Sequence, residues 1–147
     1  MKKNYTDENI IHVVNNEIEY LQFKILNKYN LKHCITLRHG GVSKGDFESL
    51  NFNMRADLKE NVMDNLYKVC SCLNIDKNNV FKAHQNHTDN ILVLDSNNKE
   101  SYHIEDILDE DYDAYIVTKK NIATLITTAD CNPVIVYDYK KHSSKYS

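Results

Sequence analysis

The sequence predicts an α/β fold with a substantial sheet, folded as one domain of 147 residues. Three observations lead there. Short runs of β-branched and other apolar residues recur along the chain between polar stretches, the pattern of strands. One longer segment, 58–73, instead spaces its apolar residues as a helix does. Glycine and proline are scarce, with three glycines and one proline, against roughly ten and seven in an average chain of this size. Gly40, Gly41 and Gly45 share a single window. A compact domain usually scatters glycine over its turns, so this window marks a backbone site with unusual demands.

Taken in order, Ile10 to Val14 and Ile18 to Phe23 read as strands, and His33 to Leu37 as a third that runs into Arg38-His39-Gly40-Gly41. The glycine window therefore follows a strand. From Leu58 to Leu73 the residues Val62, Leu66, Val69, Cys70 and Leu73 form an apolar stripe, with Asp57 as N-cap and Glu60 three residues on. Val80 to Ala83, Asn90 to Leu94, Ala114 to Thr118, Ala123 to Thr127 and Val134 to Tyr139 complete the β-rich segments. Between them, Lys99 to Asp113 concentrates seven carboxylates without the glycine or the Asp-x-Asp-x-Asp-Gly spacing of a calcium loop, and reads as a solvated acidic loop.

Composition excludes several classes. With 41% hydrophobic and 27% charged residues the chain is neither disordered nor low-complexity. A formal charge of −3 and no basic, aromatic-interleaved run speak against nucleic-acid binding. No apolar run approaches the ~20 residues of a membrane span, and the polar N-terminus is no signal h-region. The expected location is cytoplasmic, so Cys34, Cys70, Cys72 and Cys131 are expected as thiols, not disulfides. Cys70 and Cys72 lie two apart on the helix and face different ways, which makes Cys70 core and the pair a poor metal clamp.

Two places remain that could carry chemistry. His84-Gln85-Asn86-His87 follows a strand end, where side chains can project into a cleft. Ala129-Asp130-Cys131-Asn132-Pro133 sits between apolar segments and holds the single proline. Each has a plain structural reading, surface histidines or a core cysteine. Together, His87 and Cys131 offer an imidazole nitrogen and a thiolate, two of the three protein ligands that catalytic zinc or copper sites commonly use.

Thr36-Leu37-Arg38-His39-Gly40-Gly41-Val42-Ser43, Ser49-Leu50-Asn51, Glu60-Asn61-Val62-Met63-Asp64-Asn65, Gln85-Asn86-His87, Asp113-Ala114-Tyr115-Ile116-Val117-Thr118 and Ala129-Asp130-Cys131-Asn132-Pro133 resemble, in this order, successive motifs of one family. It is the laccase-domain or polyphenol oxidase family, whose members are also described as purine nucleoside phosphorylases, and the likeness runs from about Cys34 to Asp138. The resemblance implies a layered α/β (α+β) sandwich on a mixed sheet, of which residues 1–147 would be the N-terminal portion. It also implies one Zn2+ or Cu2+ ion held by the histidine of a Gln-Val-His-Gly motif, the cysteine of an Ala-Asp-Cys motif and the histidine of a His-Ala-Gly-Trp-Arg-Gly motif. His87 and Cys131 match the first two, with Asn86 in place of valine and Thr88 in place of glycine, and the third motif is absent. His84, His103 or His142 would have to substitute. The implied activity is phosphorolysis of adenosine, inosine and related purine nucleosides, with adenosine deamination or phenol oxidation as further activities of the family. Arg38 with the backbone of Gly40 and Gly41 would cradle phosphate, and Ser43 and Asn51 would join the substrate site.

Relatives continue past the polar tail Lys140 to Ser147. One choice of synonymous codons for the last six residues, CAT-AGT-AGC-AAA-TAT-AGT, would read one base later as Ile-Val-Ala-Asn-Ile-Val, an apolar β segment. The expectation is a frameshifted or split product, inactive by itself and in need of a complementing C-terminal fragment. The competing readings are a non-catalytic remnant, and a hydrolase or deamidase in which cysteine and histidine act as nucleophile and base, as in toxin deamidases of similar fold.

Overall fold

A computed structural model describes residues 3–95 and 111–143, without the side chains of 142 and 143. These residues form two compact units, 3–73 with 134–143, and 74–95 with 111–133. The segment 99–110 of the expected acidic loop, with His103, lies outside the described residues, as does the end of the tail from 144 on.

In the first unit, strands β1 (Ile10–Asn15) and β2 (Ile18–Phe23) form an antiparallel hairpin in which Asn15 faces Ile18. The two residues between them, Asn16 and Glu17, both have positive φ, 48° and 68°, as a two-residue hairpin turn requires. A single helical turn, α1 (Lys24–Asn27), follows. β3 is short, Ile35–Thr36, and pairs antiparallel with β2. His33, expected in that strand, instead turns its ring inward. Its Nε2 accepts from the Phe23 amide at 2.7 Å while Nδ1 lies 2.8 Å from the Leu31 carbonyl, so a side chain satisfies the β2 end that a longer β3 would have paired.

Helix α2 (Lys59–Leu73) matches the expected span within a residue, and buries Val62, Met63, Asn65, Leu66, Val69 and Cys70. With Ile18, Tyr20, Leu50 and Phe52 they make the core of this unit. Asp57 does not cap α2 in the usual way. Its carboxylate takes the amide of Leu58, the next residue, at 2.7 Å, and otherwise accepts from side chains, Ser43 and Asn51 outside the helix and Asn61 within it. The segment Val134 to Tyr139, expected as a strand, is not one. No strand among the described residues pairs with it, and Val134 and Val136 are 80% and 88% exposed. It leads into α3 (Tyr139–Ser143), whose first turn is capped by Asp138 Oδ1 accepting from the amides of Lys140 and Lys141.

The second unit holds two parallel strand pairs. β4 (Val80–Phe81) pairs with β7 (Ala123–Thr124), and β5 (Ile91–Leu94) with β6 (Ala114–Val117). Phe81, Leu92 and Leu94 form its core, with Tyr112, Tyr115 and Ile122 packed against them. β4 stops early because the Ala83 amide donates to the Tyr115 hydroxyl at 2.6 Å instead of to a strand. β7 stops early because the Thr127 amide donates to Gln85 Oε1 at 2.7 Å. No helix among the described residues is long and apolar enough to cross a membrane.

Candidate functional site

The glycine window is built by close approach. Gly40 has φ +96°, and a Cβ there would lie 2.2 Å from the Glu17 carbonyl oxygen in the hairpin turn. At Gly41 a Cβ would lie 2.0 Å from the Ser49 carbonyl oxygen. Both positions press backbone against backbone, which only glycine permits. Lys68 of α2 donates to the Gly40 carbonyl at 3.0 Å, and the Gly41 amide donates to Ser49 Oγ at 3.2 Å. The Arg38 carbonyl accepts from the Leu50 amide and from Ser49 Oγ, both at 2.9 Å, and Arg38 Nε donates to the Glu48 carbonyl. Arg38 is exposed, and the ion pairs found among the described residues do not include it.

Behind this loop lies a polar network. Ser43 is fully buried; its hydroxyl donates to Asp57 Oδ2 at 2.5 Å and accepts from Asn65 Nδ2 at 2.9 Å. Asn51 donates to the same Asp57 oxygen at 3.0 Å, and Asn61 donates to Oδ1 at 3.0 Å. The Ser43 hydroxyl first, then the Asn51 and Asn61 amides, hold the Asp57 carboxyl down at about 2, against an opposing cost of desolvation. Asn65 is fully buried, accepts from the Val42 amide at 2.7 Å and donates to the Asn51 carbonyl at 2.9 Å. Ser43 and Asn51, expected as substrate contacts, thus spend these groups on Asp57 and Asn65, and hold the loop instead of presenting those donors outward. Asn65 and Asp57 carry no chemical role in the sequence reading. Asn65 does show a signal, a polar residue three positions after Val62 and four before Val69, on the apolar face of α2.

His87, in the second unit, is exposed with φ +57°. One carboxylate gathers the backbone amides of its loop. Asp113 accepts from the amides of Asn86, His87 and Thr88 at 3.2, 3.1 and 2.8 Å, and from Thr88 Oγ1 at 3.0 Å. Those amides, Thr88 first, keep the Asp113 carboxyl below the usual carboxylate range. Thr88, which stands where glycine is expected, thus stiffens the loop through two donors to one acid. Gln85 ties the loop's start to the segment before Cys131: its Nε2 donates to the Thr127 carbonyl at 3.0 Å, and its Oε1 accepts from the Thr127 amide at 2.7 Å and hydroxyl at 2.9 Å. His84 is engaged elsewhere, its Nδ1 against Asp111 Oδ1, and Asn86 Nδ2 donates to Asp111 Oδ2 at 3.0 Å.

Cys131 is exposed, whereas Cys70 is buried and Cys34 and Cys72 are partly so. Burial, with the neighbouring Cys70 and Cys72, pushes the Cys34 thiol up to about 12. Cys72 Sγ donates to the Asn15 carbonyl at 3.3 Å. Of these three only Cys70 is a core thiol. His87 and Cys131 are donors of the right type for zinc or copper, but among the described residues no group of three or more His, Cys, Asp or Glu is placed to hold a metal ion.

The sequence model of the multi-copper polyphenol oxidoreductase laccase family matches residues 32–144. The chain belongs to this family. The matched span contains both groups of candidate residues, Arg38 to Asn51 in one unit and His87 with Cys131 in the other. Among relatives in the family's range, the purine nucleoside phosphorylase of Bacteroides thetaiotaomicron is 31% identical over 127 residues, 84% of this chain and 47% of that protein. The crystal structure of Bacillus licheniformis YfiH matches with a TM-score of 0.68 at 22% identity, over 82% of this chain and 45% of that one. That likeness shows the shared fold, of which this chain matches one portion. The chain spans about half the length of the relatives it matches.

Proposed function

We propose that this chain supplies the phosphate-handling portion of a purine nucleoside phosphorylase, acting on adenosine, inosine or a related nucleoside. In that reaction a phosphate oxygen bonds to C1′ of the ribose, the C1′–N9 bond breaks, and the purine leaves with a proton from phosphate or water. The reading is supported by family membership and by the phosphorylase name of the 31% identical relative. The observation that carries it to particular atoms is the Arg38 guanidinium, exposed and anchored through Nε to the Glu48 carbonyl. That anchor pre-orients a fork suited to two phosphate oxygens. Gly40 and Gly41 let the loop seat tightly, and Ser43 and Asn51 act through Asp57 to hold its shape.

His87 and Cys131 would be contributed to a Zn2+ or Cu2+ centre, which would supply water activation or charge stabilisation; among the described residues no third donor joins them. The alternative is a fragment without catalysis. Binding of inorganic phosphate, followed by 31P NMR titration, tests the first step on the chain itself. Arg38→Ala is expected to weaken it by about 10- to 100-fold, the worth of a charge-assisted pair of ~1.5–3 kcal/mol. Phosphate binding that Arg38→Ala leaves unchanged, or no phosphate binding by the unaltered chain, overturns the assignment. Phosphate-dependent release of adenine from adenosine then separates enzyme from fragment.

A further inference from the structure

We propose that the groove between the β1–β2 turn and the flank of α2 is a binding site for a small planar carboxylate, whose charge Lys68 takes. The groove encloses about 470 Å³ and is lined by Asn16, Ile18, Tyr67, Lys68 and Ser71, a volume within the roughly 300–1,000 Å³ of small-molecule sites. Helix spacing sets one wall. Tyr67 and Ser71 are four apart and Lys68 and Ser71 three apart, so all three share one side of α2. The hairpin sets the other wall, with Asn16 in the turn at φ 48° and the fully buried Ile18 at the start of β2. Two bonds fix the walls. Cys72 Sγ donates to the Asn15 carbonyl at 3.3 Å, and Lys68 Nζ to the carbonyl of Gly40, whose own backbone lies against Glu17 of the turn, at 3.0 Å. The groove is therefore formed before any ligand arrives, which lowers the cost of binding.

The lining names the class of ligand. The Tyr67 ring, Ile18 and the methylene stem of Lys68 supply apolar surface that suits a flat ring. Lys68 is the one charged residue of the lining, beside the neutral Asn16 amide and Ser71 hydroxyl. Gly40 takes one of the three N–H donors of its ammonium, and the ion pairs found among the described residues do not include Lys68. One cation with neutral hydrogen-bonding groups balances the single charge of a carboxylate and leaves a phosphate dianion undercompensated, so the groove differs in kind from the Arg38 loop. The two are nonetheless joined. The Gly40 carbonyl and the Gly41 amide belong to one peptide group, so a carboxylate drawn to Lys68 is felt in the glycine loop. The inference does not depend on which reaction the family fold performs.

The test titrates the full chain with benzoate, benzamide and acetate and follows the amide shifts by two-dimensional NMR. Benzoate is expected to bind with the millimolar affinity its size allows, with saturable shifts at 16–18, 67–71 and Gly41. Benzamide keeps the ring and loses the charge, acetate keeps the charge and loses the ring, and each is expected to bind about tenfold or more weakly. Lys68→Met retains the stem, removes the ammonium, and is expected to bring benzoate down to the affinity of benzamide. Circular dichroism confirms that the variant folds. Should Lys68→Met fail there, Ser71→Phe, at an exposed helix position, fills the groove and is expected to abolish binding of benzoate and benzamide alike. Arg38→Ala is expected to leave benzoate affinity unchanged. Four outcomes overturn the inference: no saturable shift in the groove, benzamide binding as tightly as benzoate, benzoate affinity that survives the folded groove variant, or benzoate affinity that Arg38→Ala removes. None of them reads phosphate binding or activity, so the phosphate assignment stands or falls separately.

Discussion

Replacing Asn65 by leucine tests whether the buried amide is what holds the glycine loop to α2. The two side chains have similar reach, so the substitution removes hydrogen bonds while leaving little cavity. Three interactions go: the Val42 amide at 2.7 Å, the Ser43 hydroxyl at 2.9 Å and the Asn51 carbonyl at 2.9 Å. Ser43 keeps its bond to Asp57, so its loss is small. The Val42 amide and the Asn51 carbonyl are left facing a side chain that can neither accept nor donate, each costing roughly 1–3 kcal/mol where water cannot reach. Leucine recovers part of this through apolar contact at a site with no exposure, which brings the expected loss to about 2–4 kcal/mol. For a chain of this size that corresponds to a fall in Tm of roughly 5–15 °C. Urea denaturation measures the free energy, and an unchanged m-value shows that the same surface unfolds. A loss below about 0.5 kcal/mol would refute the reasoning, since a network worth that little positions nothing.

Four further outcomes are expected. Gly41→Ala should destabilise by more than about 2 kcal/mol, because its Cβ would lie 2.0 Å from the Ser49 oxygen, whereas Gly45→Ala, with open space but φ +64°, should cost only about 1 kcal/mol by thermal melts. Asp57 is held at about 2 in the folded chain, below its ordinary 3.8. The unfolded chain therefore binds the extra proton first, so this carboxylate's contribution is intact above about pH 4 and is lost as pH falls towards 2; Asp57→Asn should flatten that stretch of a Tm-against-pH curve. Timed alkylation read by mass spectrometry should label Cys131 first, with Cys34 and Cys70 labelled only on unfolding. Thr88→Gly, which removes the hydroxyl bond to Asp113, should raise amide exchange at 86–88 several-fold while leaving α2 unchanged.

The elements most legible in the sequence are those set by local chemistry. The β1–β2 hairpin follows from two strands around an Asn-Glu turn, and α2 follows from its stripe; both lie within a residue or two of expectation. The strands that came out shorter share one cause. At His33, Ala83 and Thr127 a side chain takes the place of a ladder partner, and each partner is ten or more residues away. Local propensity carries no record of such a competitor. The same distance hid the site's supports. Ser43 meets an aspartate 14 residues on and Asn65 meets Ser43 across 22, partners that a serine in a glycine loop does not reveal until α2 is in place. Val134 to Tyr139 failed for the converse reason: a sequence fit for a strand has no strand beside it among the described residues.

The two candidate groups are held by different means, and the difference bears on how each tolerates change. The glycine loop is fixed redundantly. Lys68, Asn65, Asp57 and Ser49 each grip a separate backbone or side-chain group, and two glycines let the chains approach until those bonds close. Losing one grip leaves the others, so Arg38 should keep its place through single changes on the network's edge such as Asn61→Ala. The backbone of the His87 loop converges on one acid, with three successive amides and a hydroxyl all donating to Asp113, while Gln85 and Asn86 side chains hold its start to Thr127 and Asp111. Asp113→Ala would release all four donors at once, at a surface where water replaces them cheaply. It should therefore free the His87 loop in amide exchange while changing overall stability little. A glycine loop gripped at many points and a histidine loop whose backbone amides share one acceptor are separate parts, which makes Arg38→Ala and Asp113→Ala independent probes: effects on phosphate binding that fail to separate would contradict this division.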